Sequence, residues 1–62
     1  MDREDILNVF REFAQSQGFY GRLLRDLAEL EEYEPDAYEE FMQNLEAQDF
    51  RTPLDVILYI ET

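Results

Sequence analysis

The fold is decided by residues 26–50, DLAELEEYEPDAYEEFMQNLEAQDF, which combine acidic and apolar side chains at helical spacing. Ten of these residues are acidic, and none is lysine or arginine. Apolar side chains recur at steps of three and four, as on one face of an α-helix. They are Leu27, Leu30, Tyr38, Phe41, Met42 and Leu45. Pro35 breaks the pattern and suits the first position of a new helix. The stretch therefore predicts two helices joined by a turn, apolar on the inside and negatively charged on the outside.

The residues on either side of this stretch predict two further helices. We predict an all-α fold, a compact bundle of four short helices over residues 4–15, 19–32, 35–47 and 53–61, in one domain over residues 1–62. Asp2 is the expected N-cap of the first helix. Gly18 is expected to close that helix in the left-handed conformation, and Ser16 is expected to cap the second. Phe50 is expected to lie beneath the core.

The fourth segment fits two kinds of secondary structure. Thr52, Pro53 and Asp55 stand in the order of a cap, a first-turn proline and an acid at the third helical position, which favours a helix. Residues 54–60 also alternate β-favouring apolar side chains, as a strand does. Because no other segment offers a strand to pair with, we prefer the helix.

That fourth helix has an expected inner side and an expected outer side. We expect it to bury Leu54, Ile57 and Leu58. Val56 and Tyr59 then point away from the buried stripe and form an exposed apolar spot. The sequence therefore offers apolar contact residues at the C-terminal end of the chain.

The second helix carries a glycine and two opposite-charge pairs. Gly21 in a helix costs about 1 kcal/mol relative to alanine. A neighbouring helix that crosses closely would explain why glycine stands at this position. The alternative is that a partner approaches the helix backbone there. Arg22–Asp26 and Arg25–Glu29 have the spacing of helical ion pairs, which would neutralise the start of this helix.

The composition excludes most catalytic chemistry. The chain has no histidine, cysteine or lysine, which removes the commonest general base, thiolate nucleophiles and most zinc sites. The hydroxyl groups of Ser16, Thr52 and Thr62 have no histidine or lysine to activate them. We therefore predict that the protein is not an enzyme, binds no cofactor and holds no metal, its acidic clusters being solvated.

The net charge of −11 over 62 residues restricts the partners. An anionic surface is repelled by nucleic acid phosphates and by anionic lipids, so neither direct nucleic acid binding nor membrane binding is expected. No apolar run approaches the roughly 18 residues that span a bilayer, and the acidic residues 1–5 are followed by no apolar h-region, so a signal peptide is not expected. We expect a cytoplasmic protein whose partner is a basic protein surface.

The acidic side chains admit a simple explanation and a functional one. They could serve solubility alone, as the charged outer faces of small helical proteins often do. They could also imitate phosphates, because helix neighbours three and four apart lie about 5–6 Å from each other. The residues assigned to partner binding are Glu31, Glu32, Glu34, Asp36, Glu39 and Glu40. Such an interface also needs apolar anchors, for which Tyr33, Val56 and Tyr59 are the candidates.

Three short stretches carry a resemblance to known proteins. Residues 16–23, SQGFYGRL, together with the pair at 49–50 and residues 54–61, LDVILYIE, resemble short uncharacterised proteins of phages and prophages of Gram-positive bacteria. In size and charge the chain is similar to anti-CRISPR and other counter-defence proteins that act as nucleic acid mimics. The resemblance implies a non-enzymatic inhibitor of a host nuclease in the bacterial cytoplasm, and it assigns no individual residue.

An alternative function comes from the C-terminal apolar residues. Val56, Tyr59 and Ile60 could hold two copies of the chain together as a structural or adaptor module. The leading hypothesis remains an acidic protein that blocks a basic, nucleic-acid-handling partner.

Overall fold

The computed structural model describes residues 1–62 and consists of four α-helices joined by short loops. They are α1 (Arg3–Ala14), α2 (Gly18–Tyr33), α3 (Pro35–Glu46) and α4 (Pro53–Glu61). Every helix end lies at or next to its predicted residue. The all-α prediction is confirmed, and the strand alternative for residues 54–60 is wrong.

Helix α1 is the centre of the bundle, because it alone contacts all three other helices. Helix α2 also packs against α3, whereas α4 contacts α1 only. The core contains Ile6, Val9, Phe10, Tyr20, Leu27, Tyr38, Met42, Leu45, Phe50, Val56 and Ile57. Phe50 is buried, as predicted. None of the four helices combines the length and the apolar character that crossing a membrane requires.

Side-chain caps fix the starts of α1 and α4. The Asp2 carboxylate accepts a hydrogen bond from the Asp5 backbone N–H at 2.9 Å. At α4, Thr52 Oγ1 accepts from the Asp55 N–H at 3.3 Å, and the Asp55 carboxylate accepts from the Thr52 N–H at 3.1 Å. This reciprocal capping box satisfies backbone donors that a helix start otherwise leaves unpaired. Both predicted helix starts are confirmed.

The connection between α1 and α2 differs from its prediction. No glycine has a positive φ, and Gly18 is the first residue of α2. Ser16 does not cap α2, since the N-cap is Gln17 and makes no side-chain cap bond. The chain turns instead through the Phe13 carbonyl, which accepts from the backbone N–H groups of Ser16 and Gln17 at 3.1 and 2.9 Å. These bonds make a left-handed residue unnecessary.

Two expectations for α2 are also wrong. A Cβ built on Gly21 would meet nothing within 4 Å, so no neighbouring helix crosses closely there. The Arg22–Asp26 and Arg25–Glu29 pairs do not form, since the ion pairs of the chain belong to Arg3 and Arg11. Exposed pairs of this kind gain little in water, and holding two long side chains in place opposes them.

Helix α4 turns a different side inward from the one expected. Val56 is 0 % exposed and Ile57 is buried, whereas Leu54 and Leu58 are 62 % and 53 % exposed. The pattern could not choose between the sides, because Leu54, Ile57 and Leu58 have helical spacing and so do Val56, Ile57 and Ile60. Contact with α1 selects the second set.

The acidic α2–α3 surface as the candidate functional site

The turn between α2 and α3 places the candidate carboxylates on a fixed backbone. Helix α2 ends at Tyr33 and α3 begins at Pro35, so Glu34 alone separates them. The Glu34 N–H donates to the Leu30 carbonyl at 2.8 Å, and the Glu34 carbonyl accepts from the Tyr38 N–H at 3.1 Å. Glu34 therefore closes one helix and opens the next. Backbone held from both sides fixes the positions from which the neighbouring acidic side chains project.

All six predicted acidic contact residues are exposed, but only one of them forms an ion pair. The Glu39 carboxylate accepts two hydrogen bonds from the Arg3 guanidinium in a bidentate arrangement, at 2.6 and 3.0 Å. The other five make no ion pair. We call these five the acidic α2–α3 surface: Glu31, Glu32, Glu34, Asp36 and Glu40.

Arg3 is the part of this region that the sequence did not reveal. Its Nε also bonds Glu46 at 2.8 Å, and its guanidinium lies 5.9 Å from the centre of the Tyr38 ring. The hydrogen bond from Arg3 lowers the pKa of Glu39, and the two carboxylates raise the pKa of Arg3. Arg3 thus joins α1 to α3 and removes Glu39 from the uncompensated charge.

A shallow groove of about 300 Å³ lies beside the turn on the outer side of α2. It is lined by Asp26, Glu29, Leu30, Tyr33 and Glu34. Tyr33 is 75 % exposed, and none of the three carboxylates has a cation partner. An aromatic face next to carboxylates attracts guanidinium and ammonium groups. The groove has the chemistry to receive an arginine or lysine side chain.

A second, smaller cavity of about 120 Å³ reaches from Leu7 and Arg11 of α1 to Glu31 and Tyr38. Burial raises the pKa of the Tyr38 hydroxyl, and the Glu31 carboxylate raises it further. Arg11 pairs with Glu4 at 2.8 Å rather than with Glu31. Glu31 therefore faces a different side of α2 from the groove at Tyr33. The acidic α2–α3 surface wraps around the end of α2.

The carboxylates do not converge on a point. No group of three or more acidic side chains is placed to hold a metal ion. Their arrangement is spread along two helices, which suits contact with a broad charged surface rather than with a single ion.

The three predicted apolar anchors differ in how far they are exposed. Tyr33 is exposed at the turn, and Tyr59 is half-exposed with its ring edge-on to Phe50 at 5.5 Å. Val56 is fully buried, so the prediction that it forms an exposed spot is wrong. Ile60 is half-buried, so of the residues suggested for self-association only Tyr59 is exposed, and that by about half. Sequence reasoning missed Leu54 as an exposed residue, although apolar side chains on both sides of α4 were a visible signal.

No known protein family, curated protein or solved structure matches this chain. The resemblance to phage-encoded proteins therefore stays a prediction.

Proposed function

We propose that this chain is a non-enzymatic acidic binding protein that blocks the nucleic-acid-binding surface of a basic partner protein. The observation that supports this most is the acidic α2–α3 surface, in which five exposed carboxylates have no cation partner and flank a turn that both helices fix. A surface of this kind presents negative charge without first having to be ordered. Preorganisation reduces the entropy lost on binding.

The charge of the rest of the molecule supports the same proposal. With 16 acidic and 5 basic residues, the chain attracts a positively charged cleft from a distance. Such attraction raises the rate of encounter and weakens as salt screens it. A cleft built to bind phosphates offers arginine and lysine side chains at separations that helix neighbours about 5–6 Å apart can match.

The groove at Tyr33 supplies apolar contact surface, which charge alone does not provide. Leu30 and Tyr33 give it apolar surface, and Asp26, Glu29 and Glu34 give it negative charge. An arginine of the partner would stack on the Tyr33 ring while a carboxylate bonds its N–H groups. This contact would orient the partner on the acidic surface.

The experiment is a competition between this protein and DNA for a basic nuclease. Displacement of fluorescein-labelled duplex DNA from the nuclease is followed by anisotropy at several salt concentrations. The resemblance to phage proteins makes bacterial host nucleases the first partners to test. We expect displacement by the wild-type protein that weakens steeply as salt rises.

Two variants of equal net charge separate the acidic α2–α3 surface from charge in general. The first replaces four of its carboxylates by amides, at Glu31, Glu32, Glu34 and Asp36. The control replaces four exposed carboxylates outside that surface, at Asp5, Glu12, Asp49 and Glu61. We expect the first variant to lose competition and the control to retain it. Equal loss in both, or no displacement by the wild-type protein at low salt from any nuclease tested, would contradict the proposal.

A further inference from the structure

Helix α4 is apolar on both of its long sides. Val56 and Ile57 are buried against the bundle. On the opposite side, Leu54 and Leu58 lie one helical turn apart with most of their surface in water, and Tyr59 is half-exposed beside them. A helix that is apolar all round is normally covered all round. Here α1 is the only helix that contacts α4, and on the outer side Phe50 packs against the Tyr59 ring while no other helix covers Leu54 and Leu58.

This outer side is rigid. The capping box of Thr52 and Asp55 fixes the first turn of α4, and the buried Val56 and Ile57 hold the helix against the bundle. Leu54 and Leu58 are about 6 Å apart along the helix axis, given the rise per residue of an α-helix. They therefore form a short apolar stripe that a second helix could pack against.

The charges beside the stripe indicate what could cover it. The charged residues of α4 are Asp55 and Glu61, both acidic and both exposed, and Arg51 lies next to Asp55 just before the helix. A second copy would bring carboxylates against carboxylates and add its own net charge of −11. A partner whose apolar stripe is bordered by lysine or arginine would instead be attracted.

We propose that the outer side of α4 is a docking surface for a cationic amphipathic helix of a partner protein. Leucine or similar side chains of that helix cover Leu54 and Leu58, and its basic residues lie next to Asp55 and Glu61. This surface is separate from the acidic α2–α3 surface and does not depend on competition with DNA. The recognition mode is that of an amphipathic helix laid on an apolar strip of matching spacing.

A synthetic 18-residue peptide of leucine and lysine, arranged as an amphipathic helix, is the partner used in the test. It is titrated into ¹⁵N-labelled protein, and amide chemical shifts report where it binds. We expect the largest shifts within residues 53–61. Replacing Leu54 and Leu58 by glutamine should weaken binding about tenfold or more, because most of the apolar contact is lost. Glutamine and leucine have similar helix propensity, so circular dichroism should show that α4 persists.

Two further variants serve as controls. Phe19→Gln removes a half-exposed aromatic residue of α2, a helix that does not contact α4, and should leave the peptide affinity unchanged. The variant with four amides on the acidic α2–α3 surface should keep the shifts within residues 53–61, even if DNA competition is lost. The two proposals can therefore fail independently.

Three results would overturn the docking surface. One is no binding of the peptide at low salt. Another is binding whose shifts lie at residues 31–40 and whose affinity is the same in the Leu54→Gln/Leu58→Gln variant. The third is a dimer of the wild-type protein in sedimentation equilibrium that this variant dissociates, because a second copy would then be what covers α4.

Discussion

Replacing Gly21 by alanine should stabilise this protein. Gly21 lies inside α2, where glycine loses more backbone freedom on folding than any other residue. A Cβ at this position would meet nothing within 4 Å, and no glycine of the chain has a positive φ. The substitution therefore brings neither a clash nor backbone strain, and only the propensity difference remains.

The expected gain in the free energy of unfolding is about 1 kcal/mol, the difference between glycine and alanine in a helix interior. Part of it arises in the unfolded chain, which alanine makes less flexible. In a domain of this size, 1 kcal/mol raises the melting temperature by roughly 4–8 °C. Thermal unfolding followed by circular dichroism at 222 nm, with a urea titration at 25 °C, would measure both quantities.

Gly18 provides the matched control. It is also free of contacts within 4 Å, but it is the first residue of α2 rather than an interior one. Gly18→Ala should therefore stabilise less than Gly21→Ala. A Gly21→Ala protein no more stable than the wild type would refute the reasoning. A stabilised Gly21→Ala protein that no longer binds its partner would instead support approach of that partner to the helix backbone.

Further predictions concern three groups that are buried or paired. The Tyr20 hydroxyl is buried without a hydrogen-bond partner. Tyr20→Phe should therefore raise the free energy of unfolding by about 1 kcal/mol in urea titrations. A loss of stability would mean that the hydroxyl does make a hydrogen bond. Burial also raises the pKa of Tyr20 above its ordinary value of 10.0, so the wild-type protein should lose stability as the pH rises beyond that value and Tyr20→Phe should lose less. Backbone N–H groups of Arg51 and Thr52 lower the pKa of Asp55 below its ordinary value of 3.8. The Asp55 carboxylate therefore stabilises the fold at neutral pH, and this stabilisation is lost as the pH falls below that value. In Asp55→Asn, the free energy of unfolding should fall less between neutral and acid pH than in the wild-type protein. Arg3→Gln should lower the melting temperature at low salt, with the difference shrinking as sodium chloride is added, because the bonds to Glu39 are exposed and screened.

The sequence by itself determined the secondary structure and which acidic residues of α2 and α3 are exposed. Residues three and four apart decide where a helix runs, and a cap such as the Thr52 box acts within a single turn. The acidic α2–α3 surface follows from the same local spacing, since exposed positions opposite an apolar stripe are known once the helix is known. These features depend on neighbours along the chain, and the sequence displays those neighbours directly.

Tertiary structure decided which side of a helix is buried and which charged side chains pair. Contact with α1 buried Val56 and left Leu54 in water, although both positions fit an apolar stripe. Packing of α1 near α3 brought Arg3 to Glu39 across 36 positions and so removed one carboxylate from the acidic surface. In each case several partners were locally equivalent, and the choice was made by contacts or bonds that only the folded chain brings together.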